Sequence, residues 1–414
     1  MYYLKLIGQF YQDMRRQKLR TFLTVFGICW GTIAVVLLLA FGVGLEARSR
    51  KTMHGMGTNI VILWGAKTTV PFQGMGIGRS IRFREEDMEF LKRKIPDMEL
   101  ISSEYTKWNV KIRYKRNTRA IVLKGVHPSY GELRNIISQA GGRFINDLDL
   151  QYNRRTIFIG NKLRDGLFGE GSNPVGRVVM LGSVPYTVVG VLKEKIQNSN
   201  YHGSDARMGL VPASTFKATY GHRYASNLVY RARNPDLTPA VNEAVYRELG
   251  KRFKFDPRDK ETLILWDTTE GDRFLKYFFL GFKAFLAIAG TFTLLVGGIG
   301  VANIMYVVVR ERRREVGIKM ALGATGSTIL MQFMVETFLI VALGAGIGFG
   351  FSAAVIQVCH LPFMTEVSTY IGIPTISPGV ALGTMLVLGI VGFSAGYAPA
   401  RRAARMDPVK ALEF

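Results

Sequence analysis

The sequence contains very little cysteine, and neither cysteine is placed to form a disulfide in water. Only two of the 414 residues are cysteine, Cys29 and Cys359, and both fall inside long apolar stretches. Because disulfide frameworks and reactive thiols are read from cysteines in exposed regions, none is expected outside those stretches. The large polar region between them must then be held together by packing, which a size above about 200 residues permits.

Motifs for metal binding, nucleotide binding and hydrolysis are also missing. The five histidines occur singly, without the H-x-x-x-H spacing of a metal site. No G-x-x-x-x-G-K-[ST] phosphate loop is present, and the nearest sequence, Gly323-Ala-Thr-Gly-Ser-Thr, lacks the lysine. No G-x-S-x-G is present either. The chain is therefore predicted not to be an enzyme, to bind no metal and to carry no cofactor of its own.

Long apolar runs are what the sequence does contain, and four of them are long enough to cross a bilayer, which takes about 20 residues. Membrane spans are predicted at 24–45, 279–309, 329–359 and 379–400. A cleavable signal peptide is the alternative for the first. Its apolar run is longer than the usual stretch of about 7–15 residues and lacks a clear small-x-small cleavage site, which favours a retained anchor.

Basic residues flank one end of each of these spans, the end predicted to be cytoplasmic. Because short basic segments resist translocation, residues 1–23, 310–328 and 401–414 are predicted to be cytoplasmic, with both termini inside. The connection 360–378 contains no Lys or Arg and is predicted to lie outside, as is the region 46–276. The basic residues behind this prediction are Lys5, Arg15, Arg16, Lys18 and Arg20, the cluster Arg310 to Lys319, and Arg401, Arg402, Arg405 and Lys410.

The net charge of +23 is not only a topology signal. Residues 46–276 contain 39 basic and 24 acidic side chains, an excess of 15 positive charges. Such a field favours lipid headgroups, substrates or partner proteins that are anionic. Nucleic acid is the competing interpretation, and the external location of this region argues against it.

The external region is predicted to be an α+β domain built from two separated parts. Strands at 58–63, 108–114, 119–126, 227–232 and 262–266 alternate with helices at 85–94 and 238–249. Residues 58–126 and 224–268 would form one split module around an inserted β-rich subdomain at 127–223. Within the insert, Asn173 to Leu192 reads as two strands joined at Gly182-Ser183, which predicts a hairpin.

The segment from Arg310 to Leu322 has two interpretations. One is a stop-transfer cluster that only orients the spans, which would explain its arginines. The other is a short interfacial helix, because Val316, Ile318, Met320 and Leu322 interleave with small and charged residues over a length that a bare turn does not need. Such a helix would dock in a groove of a partner subunit.

Two further features of the spans have both a structural and a functional interpretation. Glycines four residues apart let membrane helices approach closely, and packing within the chain is favoured over a dimer seam. Glu336 is a candidate proton relay, but at the end of its span it is expected to reach water instead. The glycine pairs are Gly27 with Gly31, Gly344 with Gly348, Gly346 with Gly350, and Gly392 with Gly396.

The run from Arg312 to Thr325 resembles the cytoplasmic signature of the MacB-type, FtsX-like permeases of ABC transporters. Asn173 to Leu192 is similar to the hairpin of that family's periplasmic core domain, and Pro399 to Leu412 is similar to its C-terminal motif. Lys18 to Thr24 also fits. The resemblance implies an α-helical membrane protein with four transmembrane helices plus a large α+β extracytoplasmic domain, a porter-like split module with an inserted β-rich subdomain.

The resemblance also implies how such a protein works. The first two spans would extend outward as a stalk that transmits ATP-driven motion, and Glu315 to Thr325 would be a coupling helix on a separate ATPase that binds ATP and Mg. Arg401 to Leu412 would be a second contact. The implied ATPase-coupling residues are Arg312, Arg313, Arg314, Glu315, Gly317, Ile318, Met320, Leu322, Gly323, Ala324, Arg401, Arg402, Asp407 and Pro408.

The function implied by the resemblance is that of an export permease in a bacterial inner membrane, in contact with membrane lipids. Its partners would be an ABC ATPase subunit, a second permease in a homodimer or heterodimer, a periplasmic adaptor and an outer-membrane channel. Two alternatives stay open: an FtsX-like regulator that activates a cell-wall hydrolase, and a permease that releases lipoproteins.

Overall fold

The structure, a computed structural model, describes residues 18–197, 199–361, 372–407 and 411. It divides into two compact units, each treated separately below. The membrane unit comprises the chain up to Ser49 and from Tyr277 onward, and the α/β domain comprises Arg50–Lys276.

The helices and strands follow one another in a simple order. The helices are α1 (Lys18–Met53), α2 (Glu85–Lys94), α3 (Ser129–Leu133), α4 (Asp147–Gln151), α5 (Asn161–Phe168), α6 (Ala213–Tyr220), α7 (Thr238–Phe253), α8 (Thr268–Glu311), α9 (Arg313–Ala321), α10 (Gly326–Cys359) and α11 (Pro378–Ala404). The strands are β1 (Ile60–Gly65), β2 (Met98–Tyr114), β3 (Asn117–Val126), β4 (Thr156–Ile159), β5 (Val178–Leu181), β6 (Val184–Val191), β7 (Gly209–Pro212), β8 (Asn227–Ala232) and β9 (Leu263–Asp267).

Helices α1, α8, α10 and α11 are each long and apolar enough to cross a membrane, so the prediction of four spans is confirmed. Two of them run well past their predicted ends. Helix α1 continues from residue 45 to Met53, and α8 begins at Thr268 instead of 279. The flanking residues are polar but include no proline, so the helices continue after the apolar run stops.

Glycines let these four helices pack closely. A Cβ on Gly31 would lie 3.0 Å from Leu294 of α8, and one on Gly344 would lie 2.9 Å from Ile28 of α1. The other predicted packing glycines also face helices of the same chain: Gly27 faces Gly297, Gly348 faces Thr32, Gly392 faces Val341, and Gly396 faces Thr337. Gly346 and Gly350, in contrast, have open space where a Cβ would be.

This difference between glycines of one helix gives a matched test. A Cβ on Gly348 would come within 2.8 Å of the Thr32 Cβ and 2.9 Å of the Cys29 carbonyl oxygen, so α1 and α10 would have to separate. We expect Gly348→Ala to lower the melting temperature of the detergent-solubilised protein. Gly350→Ala should leave it unchanged or raise it, since alanine favours a helix over glycine by about 1 kcal/mol. Equal effects of the two changes would contradict this packing.

The α/β domain combines a closed ring of strands with an open sheet. Strands β2, β3, β7, β4, β6 and β5 pair in that order, and β5 pairs back with β2. The pairings of β3 with β7 and of β4 with β6 are parallel. The open sheet has the order β2-β8-β1-β9, all antiparallel. The predicted hairpin at Gly182-Ser183 is confirmed, because Leu181 pairs with Val184.

Strand β2 belongs to both sheets. Residues Met98 to Glu104 pair with β8, whereas Glu104 to Tyr114 pair with β3. The division predicted at residues 126 and 127 therefore differs from the structure, in which β2 and β3 also form part of the inserted subdomain. One hydrophobic core runs through both parts, from Leu63, Leu91 and Leu249 beside the open sheet to Leu123 and Val188 in the ring.

Candidate functional site

The junction between α8, α9 and α10 concentrates the predicted functional residues. Arg312, with φ −92° and ψ 15°, leaves the helical conformation and separates α8 from the nine-residue α9. Gly323, with φ +97°, then allows the turn that α9 needs at its end. Thr325 caps α10, its side-chain oxygen accepting a hydrogen bond from the Thr328 backbone N–H at 3.3 Å. The predicted short helix is therefore present, bounded by Arg312 and Gly323.

A buried ion pair ties this junction to the next long helix. Arg312 Nη1 lies 3.1 Å from Glu336 Oε1 and 3.2 Å from Oε2, and the two side chains are only 17% and 11% exposed. Gln332, one turn before Glu336, donates a hydrogen bond to Glu336 Oε1 at 3.3 Å. The kink at the end of α8 is thus fixed to the first turns of α10.

The same network reaches the outer surface of α9. Lys319 Nζ donates to Gln332 Oε1 at 3.3 Å and lies 2.8 Å from Glu315 Oε1. Glu315 is about half exposed, at 49%. A continuous chain of polar contacts therefore connects an exposed carboxylate of α9 with the buried Glu336 and the partly buried Arg312.

The expectation that Glu336 reaches water is wrong. Its side chain is buried and hydrogen-bonded to Arg312 and Gln332. A carboxylate inside an apolar helix bundle needs such partners, because a buried charge without compensation is strongly destabilising. Sequence reasoning missed this pairing and missed Gln332. The available signal was the single acidic residue of the span together with the arginine-rich segment that precedes it.

Helix α9 has one buried side and one exposed side. Val316 and Gly317 are buried, and Val316 belongs to the hydrophobic core of the membrane unit, with Met320 and Ala324 packed against that core. On the opposite side Arg314 and Glu315 are exposed. Two large apolar side chains lie on this exposed side as well, Ile318 at 45% and Leu322 at 84% exposure. We call this exposed side, Arg314, Glu315, Ile318 and Leu322, the outer face of α9.

The C-terminal basic cluster lies beside this junction. Arg313 and Arg402 line one cleft of about 640 Å³ between the ends of α8 and α11. The Arg402 guanidinium carbon is 6.0 Å from the centre of the Tyr306 ring, while Arg401 and Asp407 are exposed. Pro408, also predicted to contact a partner, lies outside the described residues. Both arginine groups singled out in the sequence thus meet at one end of the membrane unit, which we call the basic end.

A second polar cluster is buried in the α/β domain, at the point where β2 passes from one sheet to the other. Glu104 is fully buried, 2.8 Å from Lys124 Nζ and 3.1 Å from His202 Nδ1. Burial alone would raise the pKa of Glu104, but Lys124, His202 and Arg134 together hold that pKa far below its ordinary value. No sequence pattern indicates this cluster, because its other members are 20 to 98 residues away from Glu104 along the chain.

Arg134 extends this buried cluster to a second carboxylate, that of Asp205. Its Nη2 atom donates to Asp205 Oδ1 at 3.0 Å, and Lys195 Nζ lies 2.8 Å from Asp205 Oδ2. The Arg134 guanidinium and the Lys124 ammonium lie 4.7 and 4.5 Å from the centre of the Tyr201 ring. These contacts fix the connection between β6 and β7 onto β2, which is a structural role.

Comparison with known families agrees with this architecture. The MacB-like periplasmic core domain family matches residues 21–247, and the FtsX-like permease C-terminal family matches residues 287–408. The chain is 30% identical to a macrolide export ATP-binding/permease protein MacB of Rhodospirillum rubrum, over 99% of this chain and 60% of that protein. It is 29% identical to a pyoverdine export ATP-binding/permease protein PvdT of Pseudomonas putida, over 95% of this chain and 57% of that protein.

Among solved structures, the chain is similar to the extracellular domain of the noncanonic ABC-type transporter YknZ from Gram-positive bacteria. It matches at 23% identity with a TM-score of 0.42, covering 50% of this chain and 100% of that domain. The chain spans about three fifths of the length of the two export proteins above. The two matching family regions are permease domains, one on each side of residue 250. The chain therefore belongs to the family of MacB-like, FtsX-like permeases.

Proposed function

We propose that this chain is the permease subunit of a MacB-like export system whose ATPase is a separate protein. The proposal is supported by the names of the relatives, which are export proteins that join an ATP-binding part to a permease part. The residues of this chain that align with them contain no phosphate-binding loop. ATP and Mg would accordingly be bound by the partner.

The outer face of α9 is the observation on which the proposal depends. Ile318 and Leu322 expose apolar surface one helical turn apart, and Arg314 and Glu315 border it with charges of both signs. Apolar anchors surrounded by polar residues are typical of protein–protein interfaces. The basic end would face the cytoplasm of a bacterial inner membrane, as expected from its arginines.

The proposed mechanism is transmission of force through the polar network behind this face. A displacement of α9 by the ATPase would act on Lys319, and through Gln332 and Glu336 on Arg312 at the end of α8. Val316 provides a second, apolar connection to the bundle. Since α8 is a continuous helix from Thr268 to Glu311, it would carry the motion along its length toward the α/β domain. A second permease in a dimer, a periplasmic adaptor and an outer-membrane channel would complete the exporter.

The docking surface can be tested by purifying the full chain from native membranes. We expect an ATPase to copurify with it. Ile318→Asp combined with Leu322→Asp should reduce the recovered ATPase and its activity about tenfold or more, because buried apolar anchors at interfaces each contribute about 1–2 kcal/mol or more.

The control is the pair of changes Ile318→Leu and Leu322→Met, which keeps the apolar surface and should keep the ATPase bound. Both variants must be recovered from the membrane in the normal amount. Undiminished recovery of the ATPase with the aspartate pair would count against docking on α9. Failure of any ATPase to copurify with the unchanged chain would count against the function itself.

A further inference from the structure

One end of the open sheet in the α/β domain carries an arginine-rich cleft that no role above uses. Residues 81–84 run extended, so that Ile81 and Phe83 are buried while Arg82 and Arg84 point outward. The Phe83 carbonyl accepts a hydrogen bond from the Ala225 backbone N–H at 2.8 Å, which places Tyr224 beside both arginines. The guanidinium carbons of Arg82 and Arg84 are each 5.5 Å from the centre of the Tyr224 ring.

These side chains line a cleft of about 540 Å³, which we call the arginine cleft and define by Arg82, Arg84, Tyr224 and Arg252. Arg252 is oriented by an ion pair with the buried Asp87. A hydrogen bond with Arg84 and the charges of Arg84, Arg223 and Arg82 lower the pKa of the Tyr224 phenol. The guanidinium groups of Arg82, Arg84 and Arg252 line this cleft together with two carboxylates, Glu86 and Asp87, of which Asp87 is paired with Arg252. Guanidinium groups bind carboxylates with two parallel hydrogen bonds.

An exposed apolar hairpin begins at the edge of this cleft. Residues Lys67–Ser80, the apolar hairpin, include bridges between Lys67 and Ser80 and between Phe72 and Met75. No charged residue occurs between Lys67 and Arg79. Val70 and Ile77 are nevertheless 42% and 66% exposed. Ser80 also lines the arginine cleft, so the two features are continuous.

The base of the hairpin is firmly held. Asp259 accepts hydrogen bonds from the Thr69 backbone N–H at 2.7 Å, from the Thr69 hydroxyl at 2.8 Å and from the Val70 backbone N–H at 3.2 Å. On the other side Arg79 donates to the Phe253 carbonyl at 3.1 Å. A surface fixed in this way loses little conformational freedom on binding, which favours affinity.

We propose that the arginine cleft and the apolar hairpin together bind a segment of a partner protein in which carboxylate side chains alternate with apolar ones. The arginines match the carboxylates, and the excess of 15 positive charges in residues 46–276 attracts an acidic partner. A free small anion would fill the cleft but leave Val70 and Ile77 in water. A peptide segment covers both features, and this is why a protein is favoured over a small molecule.

The test uses the full chain in nanodiscs of neutral lipid and two fluorescent peptides, one alternating Glu with Leu and one alternating Glu with Ser. Binding is followed by fluorescence anisotropy. We expect the Glu–Leu peptide to bind more tightly. Arg82→Gln with Arg84→Gln should weaken both peptides about tenfold or more, at least the loss expected for one charge-assisted hydrogen bond. Val70→Ser with Ile77→Ser should abolish the difference between the peptides.

The matched control is Arg113→Gln with Arg116→Gln, two exposed arginines, one near the end of β2 and one in the turn that follows it, whose loss removes the same charge. It should leave binding nearly unchanged. An equal loss in this control would show only general electrostatic attraction and would overturn the proposal. The proposal would also be overturned if citrate displaced the fluorescent Glu–Leu peptide at the same concentration as the unlabelled Glu–Leu peptide does, because that result identifies a small-anion site. Neither result bears on ATPase docking at α9, which is measured separately.

Discussion

Replacing Glu336 with alanine is expected to destabilise the membrane unit by about 3 kcal/mol, the cost of leaving one partner of a buried ion pair without the other. Arg312 is 17% exposed, so its charge would remain largely buried after the change. The free energy of unfolding of the detergent-solubilised protein measures this loss. Stimulation of a bound ATPase should fall as well, because the polar chain from Glu315 to Arg312 passes through Glu336.

Two variants separate the ion pair from a general effect of charge. Glu315→Gln removes a carboxylate whose pair with Lys319 is partly exposed, and surface pairs contribute only about 0–1 kcal/mol. Arg312→Met combined with Glu336→Met removes both buried charges and should recover much of the stability lost in Glu336→Ala. A loss from Glu315→Gln as large as that from Glu336→Ala would show that the buried pair has no special role.

The second large effect is expected in the α/β domain, from Glu104→Gln. Glu104 is the carboxylate that compensates Lys124, and both side chains are almost completely inaccessible to water. Its loss should cost about 3 kcal/mol in the free energy of unfolding, in the range for a broken buried pair. Adding Lys124→Met to Glu104→Gln should restore part of this energy, which a double-mutant cycle measures.

The low pKa of Glu104 in the folded protein predicts how the free energy of unfolding depends on pH. Because the folded pKa of Glu104 lies far below the ordinary value of 4.5, its stabilising contribution is complete above pH 4.5. The contribution decreases as the pH falls below 4.5, since the unfolded chain takes up a proton that the folded chain excludes. Glu104→Gln should therefore flatten the acid side of the stability curve. An unchanged acid slope in this variant would contradict the assignment.

Much of the local structure follows from periodicity and turn residues. The strand predicted at 227–232 and the helix predicted at 85–94 have the bounds found in the structure. Gly182-Ser183 identifies its hairpin because a tight turn between two β-branched runs requires such residues. In these segments the alternation of apolar and polar residues matches the side of the element that is buried.

The sequence could not reveal the long-range contacts. Strand β2 begins at Met98, whereas the predicted strand began at Trp108. The prediction missed the first part because the buried polar residues Ser102, Ser103 and Glu104 interrupt the apolar alternation from which a strand is recognised. The parallel pairings of β3 with β7 and of β4 with β6 close the ring between distant segments and leave no local signature. At the candidate site a short helix between the spans was predicted, but its four apolar residues do not share one face: Val316 and Met320 pack on the core of the membrane unit, whereas Ile318 and Leu322 are exposed. The Arg312–Glu336 pair was not predicted, since helix packing brings the two residues together.

The 17 residues of β2 have a mechanical consequence. Glu104 pairs with Asn227 of β8 on one side and with Val126 of β3 on the other, so a single strand is shared without interruption by the ring and the open sheet. Sliding the ring past the open sheet would break backbone hydrogen bonds on both sides of β2. A load applied to either part is therefore passed to the other through the backbone of β2, which both parts share.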